Sequence, residues 1–170
     1  DTVLLSDTGH SGVWTGSMVD FKYPGQSFLR CAGSLGWGIP AAIGAKCAVP
    51  ERPVICFTGD GGVYYHLTEL DTALRYGINP VIVVNNNSSL NQEQGGVEGV
   101  YGSRNKQTDE KWILSEIHFD KVAESLGCFG IQVRKPSEFQ GALEQALKSG
   151  KPALIDVKTH IEGIAPQAWL

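Results

Sequence analysis

Two short polar stretches could do chemistry together: Thr58-Gly59-Asp60-Gly61-Gly62 and Asn85-Asn86-Asn87, each closing an apolar run, over 53–58 and 80–84. A carboxylate flanked by glycines at the C-terminal end of a buried strand stands where open α/β sheets bind ligands. The amides of Gly61 and Gly62 would open a helix, whose N-terminus favours phosphate. A carboxylate repels phosphate unless a cation lies between them. Asp60 in that place therefore asks for a hard divalent ion, and the side-chain oxygen of Asn87 is a second suitable ligand. Each stretch alone fits a plainer role, 59–62 as a tight turn and 85–87 as a cap. On two successive parallel strands, however, both turns fall on the same sheet edge.

The elements that must place them are legible in the apolar pattern. Neither 53–58 nor 80–84 alternates, as strands covered on both faces should not. Between them Val63, Leu67, Leu70 and Leu74 form one helical stripe that ends near Gly77, giving a βαβ unit. Upstream, a strand over 2–6 leads into a polar glycine turn at 7–12, a short helix over 13–19, a Pro24-Gly25 turn and a strand over 27–31. That strand runs into Ala32-Gly33-Ser34-Leu35-Gly36-Trp37-Gly38 and a helix of small residues over 40–48. Downstream, 91–111 is polar and without period, which predicts a mobile loop or lid. Phe119, Val122, Ala123 and Leu126 mark a helix capped by Gly127, followed by a strand over 128–133. Ser137 and Gln140 have capping-box spacing at the start of a helix with Phe139, Leu143, Ala146 and Leu147 on its buried face, and 153–157 is the last strand. The alternation predicts a single α/β domain over 1–170: a three-layer open sheet, mostly parallel, with helices on both faces.

A net charge of -4, without a run of Lys or Arg, gives no footprint for nucleic acid or an anionic membrane. No apolar run approaches the roughly 20 residues of a membrane span. Cys31, Cys47, Cys56 and Cys128 contain no C-x-x-C pair and are expected as buried free thiols, neither zinc ligands nor disulfides, which points to a reducing cytoplasm. The chain begins at Asp1, almost inside a strand and without an initiator Met, so a domain excised from a longer polypeptide is expected.

Gly59-Asp60-Gly61, separated by one βαβ unit from Asn86-Asn87, resembles the G-D-G…N-N signature of the diphosphate-binding domain of thiamine diphosphate enzymes. The likeness extends along nearly the whole chain and is closest to the acetolactate synthase and benzoylformate decarboxylase branch. Gly33-Ser34-Leu35-Gly36-Trp37-Gly38-Ile39-Pro40-Ala41-Ala42-Ile43-Gly44 is similar to that branch's segment beneath the cofactor rings. The resemblance implies Mg²⁺ held by Asp60, Asn87 and the backbone carbonyl of Ser89. It implies cofactor contacts from Thr8, Gly9, His10 and Ser11 in the first turn, from Gly33, Ser34 and Leu35, from Gly59 to Gly62, and from Asn87, Leu90 and Asn91. Leu35 matches the apolar wedge that bends the cofactor, and the carbonyl of Gly33 matches the acceptor for its 4'-amino group. The implied reaction is decarboxylation or carboligation of a 2-oxo acid.

Two departures bear on substrate. His10-Ser11 stands where acetolactate synthases usually have Gln-His, and Gln92-Glu93 replaces apolar residues of the substrate pocket. The glutamate that activates the cofactor in this family belongs to a pyrimidine-binding domain, normally of a partner subunit, so a homo-oligomeric full-length form is implied and this chain alone is expected to be inactive. Three alternatives remain: a stand-alone subunit that meets a separate pyrimidine-binding subunit, a non-catalytic binding module, and a dinucleotide-binding oxidoreductase. The last rests on Gly36-Trp37-Gly38-Ile39-Pro40-Ala41, a formal G-x-G-x-x-A with Asp60 roughly 20 residues on.

Overall fold

The computed structural model describes residues 1–31 and 33–166; Ala32, within the glycine segment read above, lies outside the described residues. Its strands are β1 (Val3–Ser6), β2 (Ser27–Arg30), β3 (Val54–Gly59), β4 (Val81–Asn86), β5 (Phe129–Val133) and β6 (Ala153–Lys158). They form one sheet in the order β2-β1-β3-β4-β6-β5, with every pairing between them parallel. The architecture is thus the open, helix-covered α/β sheet that the alternation of elements predicts.

Strand order reverses beside β1, and again at the far edge where β5 turns back to β6. The chain leaves β1 through α1 (His10–Met18) to reach β2, then returns through α2 (Gly38–Ala48) to β3 on the other side of β1. Connections that diverge in this way leave a crevice at the carboxyl ends of the two strands, where open α/β sheets bind ligands. Buried clusters on both faces hold the sheet. Leu5, Cys56, Ile82, Val84 and Leu154 pack against Ile39, Val63, Leu70 and Phe119, the first residue of α7 (Phe119–Ser125), on one face. Val81, Val83 and Ile155 pack against Ala142 and Ala146 of α8 (Pro136–Lys148) on the other. Each fully buried aliphatic side chain contributes about 1.5–3 kcal/mol.

Four expectations need correction. The stripe from Val63 to Leu74 is not one helix but two, α3 (Asp60–His66) and α4 (Glu69–Arg75). Tight backbone bonds from Leu70 to Leu67 and from Asp71 to Thr68 break the regular ladder there, while Val63 and Leu70 stay fully buried. The stretch 91–111 is mostly helical: a 3₁₀ turn (Asn91–Glu93), α5 (Gln94–Tyr101) and α6 (Lys106–Asp109). α5 buries no residue and carries three glycines, so Val97, Val100 and Tyr101 leave only a one-turn apolar stripe to read. α8 opens at Pro136, and its capping carboxylate is Glu138, which accepts from the amides of Arg134 and Lys135 at 2.9 and 3.1 Å. Finally, Cys47 is exposed and Cys31 half-buried; only Cys56 and Cys128 are buried thiols.

Candidate functional site

The carboxyl ends of β1, β3 and β4 enclose a cleft of about 300 Å³. Its first wall is the turn after β1, where Gly9 has φ +83°, a left-handed conformation that admits glycine at no steric cost, before α1 starts at His10. Its floor is Gly59 to Gly62, and its far wall is the segment after β4, Asn87 to Glu93. Glycine at 61 leaves room for Leu90, because a Cβ there would run into Leu90 Cδ2 unless that side chain moved. The turn holding Asn87 is closed by pairing with a later segment, since Leu90 donates to the Trp112 carbonyl at 2.7 Å and Leu114 to the Ser88 carbonyl at 2.8 Å.

Of the residues implied to hold cofactor or ion, Thr8, Gly9, His10, Ser11, Gly33, Leu35, Gly59, Asp60, Gly61, Gly62, Asn87, Ser89, Leu90 and Asn91 all line this one cleft. Ser34 does not; its carbonyl accepts from Trp37. Thr8 ties the first wall to the glycine segment before α2, its hydroxyl accepting from the Gly33 amide at 3.1 Å. Asn85, Gln92 and Glu93 also line the cleft, although the residue pattern assigned them no cofactor contact.

Asp60 and Asn87 converge. The Ser89 N–H donates to Asp60 Oδ2 at 3.0 Å and to Asn87 Oδ1 at 3.1 Å, and the Ser89 hydroxyl donates to the same Asn87 oxygen at 2.8 Å. The other oxygen of Asp60 accepts from the Gly61 amide at 2.8 Å. Burial pushes the Asp60 carboxyl up to about 6, against the opposing pull of these amides. Burial also lowers the pKa of His10, which favours its neutral, hydrogen-bonding form.

Three features test whether these residues fit a diphosphate with a divalent ion. Among the described residues lining the cleft none is Lys or Arg, while Asp60 and Glu93 are acidic, so an anion needs a cation brought with it. Asn91 Oδ1 is buried without a hydrogen-bond partner, while the Asn91 amide nitrogen donates to the Ile161 carbonyl. Asp60 and Asn87 supply the hard oxygen donors that Mg²⁺ prefers. No group of three or more His, Cys, Asp or Glu gathers among the described residues. An ion here would thus draw on one carboxylate, one amide, a carbonyl and phosphate oxygens, which suits Mg²⁺. The residues fit the group.

The residue that sequence reasoning missed is Asp7. It is fully buried and accepts from the amides of Thr8 at 2.7 Å, Gly36 at 3.0 Å and Gly38 at 3.0 Å, and from the Thr58 hydroxyl at 3.3 Å. One carboxylate therefore ties the ends of β1 and β3 to the glycine segment before α2. It also consumes the amides that a G-x-G-x-x-A phosphate turn would need, so that match does not form a dinucleotide site. The only local signal was an Asp directly after an apolar strand; its partners lie far away in sequence.

The sheet order and the cleft define a ligand-binding domain of the open α/β class, with its site at the switch point between β1 and β3. The chain belongs to the family of thiamine pyrophosphate enzyme C-terminal TPP-binding domains, whose model matches residues 7–157. It is 35% identical over 167 residues to the acetolactate synthase isozyme 3 large subunit of Escherichia coli K12, covering 96% of this chain and 28% of that one. It is 39% identical over 131 residues to the acetolactate synthase large subunit of Haemophilus influenzae, covering 77% of this chain and 22% of the relative. Among solved structures, a thiamine diphosphate-dependent 4-hydroxybenzoylformate decarboxylase of Rhodococcus jostii RHA1 superposes with a TM-score of 0.81 at 31% identity, covering 94% of this chain and 30% of that chain. The expected branch is met from both sides, by synthase and by decarboxylase. The chain spans less than a third of each of these relatives.

Proposed function

We propose that this chain holds thiamine diphosphate by its diphosphate, through Mg²⁺, as one domain of a 2-oxo acid decarboxylase or carboligase of the acetolactate synthase kind. The observation that carries this is the convergence of Asp60 Oδ2 and Asn87 Oδ1 on the Ser89 N–H, inside a cleft whose described lining has no Lys or Arg. Asp60, Asn87 and the Ser89 carbonyl take the ion. Thr8, Gly9, His10 and Ser11 face the phosphates from β1, and Gly61 and Gly62 from β3. Gly33 and Leu35, which line the cleft, orient the organic part of the cofactor. When bound, the cofactor supplies the electron sink for loss of CO₂ from a 2-oxo acid. Gln92 and Glu93, exposed on the cleft wall, make that end polar and suit a substrate or acceptor that carries polar groups.

Activation of the cofactor is assigned to a pyrimidine-binding domain, of the same polypeptide or of a partner, so the chain as given binds without turning over. Such a domain needs an apolar surface to dock on. Met18, Val19, Phe21, Tyr23, Phe28 and Leu29, all exposed around the end of α1 and the edge strand β2, provide one. No helix among the described residues is long and apolar enough to cross a membrane. Free cysteines suit a cytoplasmic enzyme. The test is CO₂ release from 2-oxo acids, with thiamine diphosphate and Mg²⁺, by this chain alone and with a pyrimidine-binding domain added. Turnover only in the mixture is expected. Equal turnover by the chain alone contradicts the division of labour.

A further inference from the structure

Behind the cleft, one layer below Asn87, lies a buried polar group that none of the roles above uses. Asp156 on β6 is fully buried, and its Oδ1 accepts from Asn86 Nδ2 at 2.8 Å. Its Oδ2 accepts from the Phe119 amide at 3.2 Å and from Gln132 Nε2 at 3.4 Å, with Lys158 Nζ 3.8 Å away. A buried carboxylate with that many partners is held rigidly and passes its orientation to whatever it touches.

What it touches is the first residue of the turn. Asn86 Nδ2 donates to Asp156 and also, at 3.0 Å, to the Ile117 carbonyl. Two acceptors on the same side allow only one orientation of the amide, with nitrogen toward them. Asn86 Oδ1 is thereby left facing the chain ahead, where it accepts from the Ser88 N–H at 3.3 Å. Ser88 has φ +57°, the only positive φ outside glycine among the described residues. A serine takes that left-handed conformation only when its surroundings hold it there. The turn it makes separates Asn87 from Ser89.

We propose that Asp156 is a positioning residue for the cation ligands: through Asn86 it holds Ser88 left-handed, so that the Asn87 side chain and the Ser89 backbone face Asp60. The proposal rests on the reading of Asp60, Asn87 and Ser89 as a cation site. Asp156 touches neither ion nor cofactor. It acts on the ligands from behind, as groups that orient metal ligands do, where loss typically weakens affinity 10- to 100-fold.

The test measures Mn²⁺ affinity by electron paramagnetic resonance, with thiamine diphosphate present, on the full 170-residue chain. Asp156→Ala is expected to weaken Mn²⁺ binding by about 10-fold or more. Asn86→Ala should do the same, and the double variant should be no worse than either single one, because the two act in series. Ile155→Ala, on the same strand but in the opposite core cluster, serves as the control; it should lower the melting temperature while leaving Mn²⁺ affinity within about twofold. Affinity losses that multiply in the double variant, or an Ile155→Ala loss as large as that of Asp156→Ala, overturn the proposal. Should Asp156→Ala fail to fold, unchanged affinity in Asn86→Ala overturns it equally. Wild-type chain that binds no Mn²⁺ with thiamine diphosphate would refute the cation site itself, a different result from wild type binding and variants matching it.

Discussion

Asp60 and Asn87, at the ends of two neighbouring strands, accept from one and the same N–H: that of Ser89, at 3.0 and 3.1 Å. Register explains the meeting. β3 and β4 pair with Gly59 opposite Asn85, so the residues that follow emerge side by side from the sheet edge. A single amide satisfies neither oxygen fully, and a divalent ion can replace it between them.

Asp60→Asn should weaken Mn²⁺ binding in the presence of thiamine diphosphate by more than the roughly 100-fold expected of residues that only orient ligands. The same change should lower the melting temperature of the metal-free chain, because an NH₂ group that cannot accept then faces one of the two amides, of Gly61 and Ser89, that Asp60 accepts from. Calorimetric titration and thermal melts of the one variant check both directions.

The Asp60 carboxyl, raised to about 6, gives metal-free stability a definite pH dependence. Between its ordinary value near 4 and about 6 the folded chain keeps a proton that the unfolded chain has lost. The contribution is therefore fully present below about pH 4 and is lost as pH rises through about 6, to an extent on the order of 3 kcal/mol. Cation binding runs the other way, since it needs the ionised form. Mn²⁺ affinity should rise with pH up to about 6 and then level off, and ion binding near pH 5 should release a proton, measurable by calorimetry in buffers of different ionisation enthalpy.

Gly61→Ala gains about 1 kcal/mol of helix propensity but places a methyl group on the Leu90 side chain. Overpacking of that kind costs about 1–3 kcal/mol. The variant should be destabilised by denaturant melt and should bind thiamine diphosphate less tightly. Adding Leu90→Ala should restore part of the denaturant midpoint, because it removes the atom that is struck, while cofactor binding stays weakened because Leu90 lines the cleft.

Asp7→Ala strips the acceptor from the amides of Thr8, Gly36 and Gly38 at once. The loss should be about 3 kcal/mol or more, since the orphaned donors are buried. A fall in denaturant midpoint accompanied by loosening of 33–38, read by hydrogen exchange, is the expected signature.

What could be read from residue order follows from how local its causes are. β3 and β4 were legible because strands buried on both faces are apolar throughout, and the Asp60 and Asn87 turns stand out at their ends. The break at Leu67 was not, because a tightened turn keeps both Val63 and Leu70 in the core and leaves the stripe unchanged. α5 escaped because its apolar residues, Val97, Val100 and Tyr101, make only one turn's stripe among three glycines, and none of them is buried. Asp7 and Asp156 escaped for a third reason. Their partners are distant in sequence, and a lone Asp beside a strand carries the same local signal whether it faces solvent or ties the sheet edge together.

The central claim is that thiamine diphosphate is held here through a divalent ion, and a calorimetric titration of the chain tests it most directly. Thiamine diphosphate is expected to bind with Mg²⁺ present and to bind far more weakly with chelator, while thiamine lacking the diphosphate should not bind under either condition. Equal binding with and without Mg²⁺, or tighter binding of NADH than of thiamine diphosphate with Mg²⁺, would contradict the account.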